Sequence, residues 1–104
     1  MNSFILNQID TGIMIVKVQD IKNPGSMIIE FANKKAIQIA KNDKMIGKTL
    51  SEGFPDFAKK YEEVYLTNIT EFEYGNENIF QVKAFPMEND KIFIYYYNIT
   101  IYKY

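Results

Sequence analysis

Residues 78–100 read N-I-F-Q-V-K-A-F-P-M-E-N-D-K-I-F-I-Y-Y-Y-N-I-T, and this stretch decides the fold. Two runs rich in aromatic and β-branched residues flank a short polar connection, Glu88-Asn89-Asp90, the pattern of a β-hairpin. In the first run Phe80, Val82 and Ala84 alternate with Gln81 and Lys83, so one face is apolar. In the second, Ile92, Ile94 and Tyr96 fall on one face and Phe93, Tyr95 and Tyr97 on the other, so both faces are apolar. Such a strand is covered on both sides or carries an outer face that awaits a partner.

Working back from the hairpin, Ile69 to Tyr74 reads as the strand that precedes it, with a turn at Gly75-Asn76-Glu77. Asp56 to about Leu66 reads as a helix, with Phe57, Ala58, Tyr61, Val64 and Tyr65 clustered on one side of the wheel. Thr49-Leu50-Ser51-Glu52 matches a capping box and starts a very short helix that ends at Gly53-Phe54-Pro55. Asn33 caps a helix from Lys34 to about Lys41, whose Ala36, Ile37, Ile39 and Ala40 share an arc. Ile13–Val18 and Met27–Ala32 read as strands joined by a turn at Asn23-Pro24-Gly25. At the start, Ser3 can cap a short helix that carries Ile5, Leu6 and Ile9 on one side. The order helix, β, β, short helices, β, β, β predicts an α+β domain: a five-stranded antiparallel sheet with short helices packed on one face. Residues 1–11 are expected to form a capping helix and 12–104 the core of a single domain.

Composition narrows the function. A chain of 104 residues supports one core. With 12 Lys+Arg against 13 Asp+Glu it carries no basic field, so neither nucleic acid nor an anionic membrane is an expected partner. There is no Cys and no His, which removes thiolate chemistry, Cys and His metal sites and the commonest general base. No apolar run approaches the ~20 residues of a spanning helix. No basic, then apolar, leader is read at the N-terminus, and a cytoplasmic location is the default expectation. No acid–base pair stands in a catalytic pattern, so the expectation is a protein that is not an enzyme. Glu71, Glu73 and Glu77 do not suggest a metal site, since the first two share the wet face of a strand.

With these pieces in order, the chain resembles a PAS (Per-Arnt-Sim) sensor domain over nearly its whole length. The matching residues are Asp10-Thr11-Gly12-Ile13, Phe31-Ala32-Asn33-Lys34-Lys35-Ala36, Ile46-Gly47-Lys48-Thr49-Leu50, Phe54-Pro55, Phe85-Pro86 and Asn98-Ile99-Thr100. The resemblance implies a sheet that cups short helices, a core that holds a small ligand or mediates dimerisation, and an output domain such as a kinase or cyclase in a longer parent protein. One position departs from the family pattern: the last strand usually ends Asp-Ile-Thr, and here Asn98 replaces the carboxylate that anchors the outgoing linker.

The site expectations follow from parity and from the resemblance together. The cup is expected to be lined by Asn33, Ile37, Phe57, Tyr61, Tyr65, Phe80, Val82, Ile94 and Tyr96, with Tyr61 or Tyr96 offering a polar handle to a guest. The competing reading is that these side chains fill the cup themselves. Asn33 reads as a helix cap or a bond across the nearby turn before it reads as a ligand contact. The family's haem and flavin-adduct chemistries need a His and a Cys that the chain lacks, so the cofactor is unknown and neither of these is expected. A homodimer is expected to pack Phe4, Ile5 and Ile9 of the N-terminal helix with Phe85, Phe93, Tyr95 and Tyr97 of the outer face.

Overall fold

The structure, a computed structural model, describes residues 11–65, 71–75 and 77–100. The expected N-terminal helix, the first residues of the third strand and the end of the long helix lie outside the described residues. The elements run β1 (Gly12–Lys17), a 3-10 turn (Pro24–Ser26), β2 (Ile28–Ala32), α1 (Lys34–Ala40), α2 (Leu50–Gly53), α3 (Pro55–Tyr65), β3 (Glu71–Tyr74), β4 (Phe80–Met87) and β5 (Lys91–Asn98). One antiparallel sheet forms with strand order β2-β1-β5-β4-β3, so the first and last strands of the chain pair at its centre.

Local chemistry explains where the elements begin and end. Asn33 caps α1, its Oδ1 accepting from the Ala36 amide at 2.9 Å. Lys41 closes that helix in the left-handed region at φ 57°. Thr49 and Glu52 form the expected capping box, with the Glu52 amide donating to Thr49 Oγ1 at 3.2 Å and the Thr49 amide to Glu52 Oε1 at 3.4 Å. The Thr49 hydroxyl, which donates to Glu52 Oε1 at 2.8 Å, and after it the Thr49 amide hold the Glu52 carboxyl below its usual range. The long helix starts at Pro55, one residue earlier than Asp56, because a proline in the first turn needs no donor and its fixed φ suits a helix. The hairpin turns through Asn89 and Asp90, both left-handed at φ 62° and 58°, residue types that tolerate this region.

All three helices pack on one face of the sheet. Ala36 of α1, Leu50 of α2 and Phe57, Ala58, Tyr61 and Val64 of α3 join Met14, Val16, Ile29, Val82, Ile94 and Tyr96 in a single buried cluster. The free edge of β2 is closed by the segment before α2: the Ile29 amide donates to the Lys48 carbonyl at 2.9 Å, and the Leu50 amide to that of Met27 at 2.7 Å. A register shift between Ile15 and Val16 leaves Glu30 outside the β1–β2 ladder, where it pairs with Lys91 at 2.8 Å.

One inward row fixes how the sheet meets the helices. Gly12, Tyr96, Val82 and Phe72 lie opposite one another across β1, β5, β4 and β3. The Tyr96 ring lies directly over Gly12, and a Cβ at position 12 would collide with its Cε2 and Cζ atoms. The strand must therefore be bare there. We expect Gly12→Ala to cost about 1–3 kcal/mol, as overpacking does. In a Tyr96→Leu background, where the colliding atoms are gone, the cost should largely vanish. Urea denaturation of the four proteins in this cycle measures the coupling, and additive losses would mean that the ring does not rest on Gly12.

Candidate functional site

The cup between sheet and helices is occupied by rings. Phe57, on the first turn of α3, meets the rings of Phe54 at 5.2 Å, Tyr74 at 5.5 Å, Tyr61 at 5.8 Å, and Phe72 and Tyr96 at 5.9 Å between centroids. Tyr61 stacks on Phe72 at 6.0 Å and meets Tyr65 edge-on at 5.4 Å. These are the separations at which aromatic pairs attract beyond their buried area. Of the residues expected to line the cup, Phe57, Tyr61, Phe80, Val82, Ile94 and Tyr96 are brought together and buried. Ile37 and Tyr65 are half-buried at the margin of the cluster.

Tyr96 is the anomaly. It is 1 % exposed, and its hydroxyl has no hydrogen-bond partner among the described residues. Burial pushes its pKa well up, and the neighbouring Tyr74 adds to the shift. Tyr61 is raised by burial first and Tyr65 second, Tyr74 by burial first and the Asp56 carboxylate second. These phenols can donate or accept a hydrogen bond at neutral pH but do not ionise there. Tyr74 also borders a hollow of about 550 Å³ at the surface, lined with Asp56, Lys59, Lys60, Glu73 and Gly75.

Asn33 is fully buried, but its side chain serves the backbone. Besides capping α1, Oδ1 accepts from the Ile13 amide at 3.0 Å, and Nδ2 donates to the Thr11 carbonyl at 2.8 Å. Both of the local roles read from the sequence, cap and bond across the turn, are filled by one amide. At the same end of the sheet, where β5 leaves it, Asn98 Oδ1 accepts from the Thr100 amide at 2.8 Å, and Thr100 Oγ1 accepts from the Ile79 amide at 2.8 Å. The acceptor role of the missing carboxylate is thus kept by a neutral oxygen.

The outer face carries the second set of candidates. Phe85, 49 % exposed, stands opposite Phe93, and Phe93 opposite Ile15, which pairs with Phe31: an apolar row across four strands. Beside it Tyr95 stacks with Phe85 at 5.9 Å and with Tyr97 at 6.2 Å. Phe93, Tyr95 and Tyr97 are half-exposed. Ion pairs flank the patch, Lys91 with Glu30 on one side and Lys83 with Glu71, at 3.9 Å, on the other. Phe4, Ile5 and Ile9 lie outside the described residues. Sequence reading missed Ile15 and Phe31, because their place beside Phe93 depends on the register between strands far apart in the chain. Among the described residues no cluster of His, Cys, Asp or Glu could hold a metal, and no helix is long and apolar enough to cross a membrane.

Comparison with models of known families and with curated proteins finds no match. Solved structures do match. The PAS domain of an HTR-like protein from Haloarcula marismortui superposes with a TM-score of 0.59 at 12 % identity, over 93 % of this chain and 88 % of that one. A sensory box sensor histidine kinase from Vibrio cholerae gives 0.54 at 18 % identity, over 93 % and 87 %. The PAS domain of nitrogen regulation protein NR(II) from Vibrio parahaemolyticus gives 0.52 at 12 % identity, over 93 % and 96 %. At these identities the likeness is one of backbone architecture, and by that measure the chain has the fold of a PAS domain.

Proposed function

We propose that this chain is the sensory or transmission module of a signalling protein, and that it works by pairing with a second copy through the outer face of its sheet. The observation that carries the reading is the row Phe31, Ile15, Phe93 and Phe85, with Tyr95 and Tyr97 stacked beside it. The helices lie on the opposite face, so this row has no share in the core. Aromatic residues anchor interfaces out of proportion to their number. Two of the bordering cations, Lys83 and Lys91, are paired within the chain, which lessens the like-charge penalty when two copies face one another about a two-fold axis. The name of one similar structure, a sensory box sensor histidine kinase, supports a signalling setting for such a module.

A second reading, that a small ligand enters the cup, is favoured by one observation: the buried Tyr96 hydroxyl has no partner among the described residues. A buried hydroxyl without a partner costs about 1–3 kcal/mol, and a guest that accepts its hydrogen bond would recover that. Against it stands the aromatic cluster around Phe57, which supports a self-filled core.

Sedimentation velocity over a range of concentrations tests the first reading. The wild type should dimerise, and Phe93→Glu and Tyr95→Glu should be monomeric while retaining the wild-type circular dichroism spectrum. A wild type that stays monomeric at high concentration ends it. For the second reading, Tyr96→Phe should raise stability in urea by about 1 kcal/mol if the cup is self-filled, because the substitution removes an unsatisfied group. If the purified wild type carries a guest, native mass spectrometry should show the added mass, and Tyr96→Phe should lose it.

A further inference from the structure

Beyond the cup and the outer face, a hollow of about 270 Å³ opens between α1 and the end of the sheet where β4 begins and β5 ends. Its apolar surface comes from half-buried Ile39 on the helix side and Phe80 on the sheet side. Phe80 also belongs to the cup. Its ring meets Tyr96 edge-on at 6.2 Å between centroids, so one side chain borders the core on one side and the hollow on the other. Water in such a space lies against apolar surface on both walls, and a ring that displaces it gains hydrophobic stabilisation. The volume is below the roughly 300–1,000 Å³ of sites for drug-sized ligands, and it suits one ring.

The chain itself leads to this place. Asn98, the last residue of β5, lines the hollow. Just after it the backbone is tied down: the Ile99 amide donates to the Ile79 carbonyl at 2.8 Å, and the Ile79 amide donates to Thr100 Oγ1 at 2.8 Å. Ile79 adjoins Asn78, another lining residue, so the point where the chain leaves the sheet is bonded to the rim of the hollow. Residues 101–104, Ile-Tyr-Lys-Tyr, follow directly and lie outside the described residues. Tyr102 stands four positions beyond Asn98. Four positions return a side chain to the same side of an extended chain, whose period is two, and nearly to the same side of a helix, whose period is 3.6. Either course presents position 102 on the side of Asn98. Two residues of chain beyond Thr100 span at most about 7 Å, which keeps that position close to the rim.

We propose that the hollow is the docking site of the segment that leaves the domain, with the Tyr102 ring seated between Ile39 and Phe80. Asn98 Oδ1 is engaged by the Thr100 amide, which leaves its Nδ2 to donate to the phenol oxygen. Lys35 and Lys41 border the same hollow, and a neutral phenol makes no demand on either. The seat gives the core a short route to the exit: Phe80 meets Tyr96 in the cup and Tyr102 in the hollow, so a displacement of Tyr96 reaches the departing chain through one ring. The seating of Tyr102 is independent of whether two copies pair through their outer faces.

The test is nuclear Overhauser spectroscopy of the full chain, run on labelled protein and on an equal mixture of labelled and unlabelled copies. The Tyr102 ring protons should show contacts to the Ile39 methyls and the Phe80 ring, all within one copy. Tyr102→Phe should keep these contacts through its own ring. Tyr102→Ser should lose them and speed hydrogen exchange at the Ile79 and Ile99 amides roughly tenfold as the exit frays, whereas Tyr104→Ser should change neither. Absence of contacts between Tyr102 and Ile39 in the wild type would overturn the proposal. So would contacts found only between copies, which give the hollow to a partner's segment, or contacts to Ile39 from protons foreign to the chain, which give it to a bound guest. Equal acceleration of exchange in Tyr104→Ser, or none in Tyr102→Ser, overturns it as well.

Discussion

The Phe57 ring is the constraint on which the rest of the structure depends. It packs against Tyr61 of its own helix, Phe54 just after the short helix before it, and Phe72, Tyr74 and Tyr96 of the sheet's inner wall. A ring at that point fixes the distance between helix and sheet. Tyr96 is then pressed against β1, and β1 can accept it only because position 12 has no side chain. The glycine that opens the first strand and the tyrosine in the last are thus two halves of one contact, set by a phenylalanine some forty residues from either. Burial of the tyrosine brings in its hydroxyl without a partner among the described residues, a local cost offset by the dispersion and area burial of the packed rings.

The seams of the sheet are held by neutral amides. Asn33 joins the entry of β1 to the start of α1 through Thr11, Ile13 and Ala36, and Asn98 joins the exit of β5 to Thr100. A carboxylate in place of Asn33 could accept the Ile13 and Ala36 bonds but could not donate to the Thr11 carbonyl, so it would bury a charge opposite an oxygen. At Asn98 only acceptors are required, and either an amide or a carboxylate oxygen meets the need. This is why the departure from the Asp-Ile-Thr pattern leaves the local geometry intact.

Much of this fold was legible in the sequence where its determinants are local. The hairpin followed from the alternation of Phe80, Val82 and Ala84, and the caps from Asn33 and from the Thr49–Glu52 spacing, because each rests on neighbours within a few residues. The helical wheel placed Phe57 and Tyr61, and strand parity Tyr96, on the inner side, and parity placed Phe93, Tyr95 and Tyr97 on the outer. Where two distant segments had to be set against each other, the sequence was silent. The β1–β5 register that brings Ile15 and Phe31 into the outer row, the bulge that sets Glu30 beside Lys91, and the collision that demands Gly12 are all non-local.

Strand β5 lets the inner and outer faces influence each other without any long chain of contacts. Tyr96 is part of the inner wall, and Tyr95 and Tyr97, its immediate neighbours, are part of the outer patch. Side chains that alternate along an extended backbone share its position, so a shift that moves the Tyr96 ring away from Phe57 moves Tyr95 and Tyr97 as well. The Tyr96 ring cannot move further toward β1, because it already lies on the Gly12 backbone. It cannot swing toward β3 without displacing Val82 and Phe72, which continue the same row. Close packing on three sides leaves displacement of the strand itself as the route by which added volume in the cup is relieved, and that displacement is delivered to the face on which a second copy would sit.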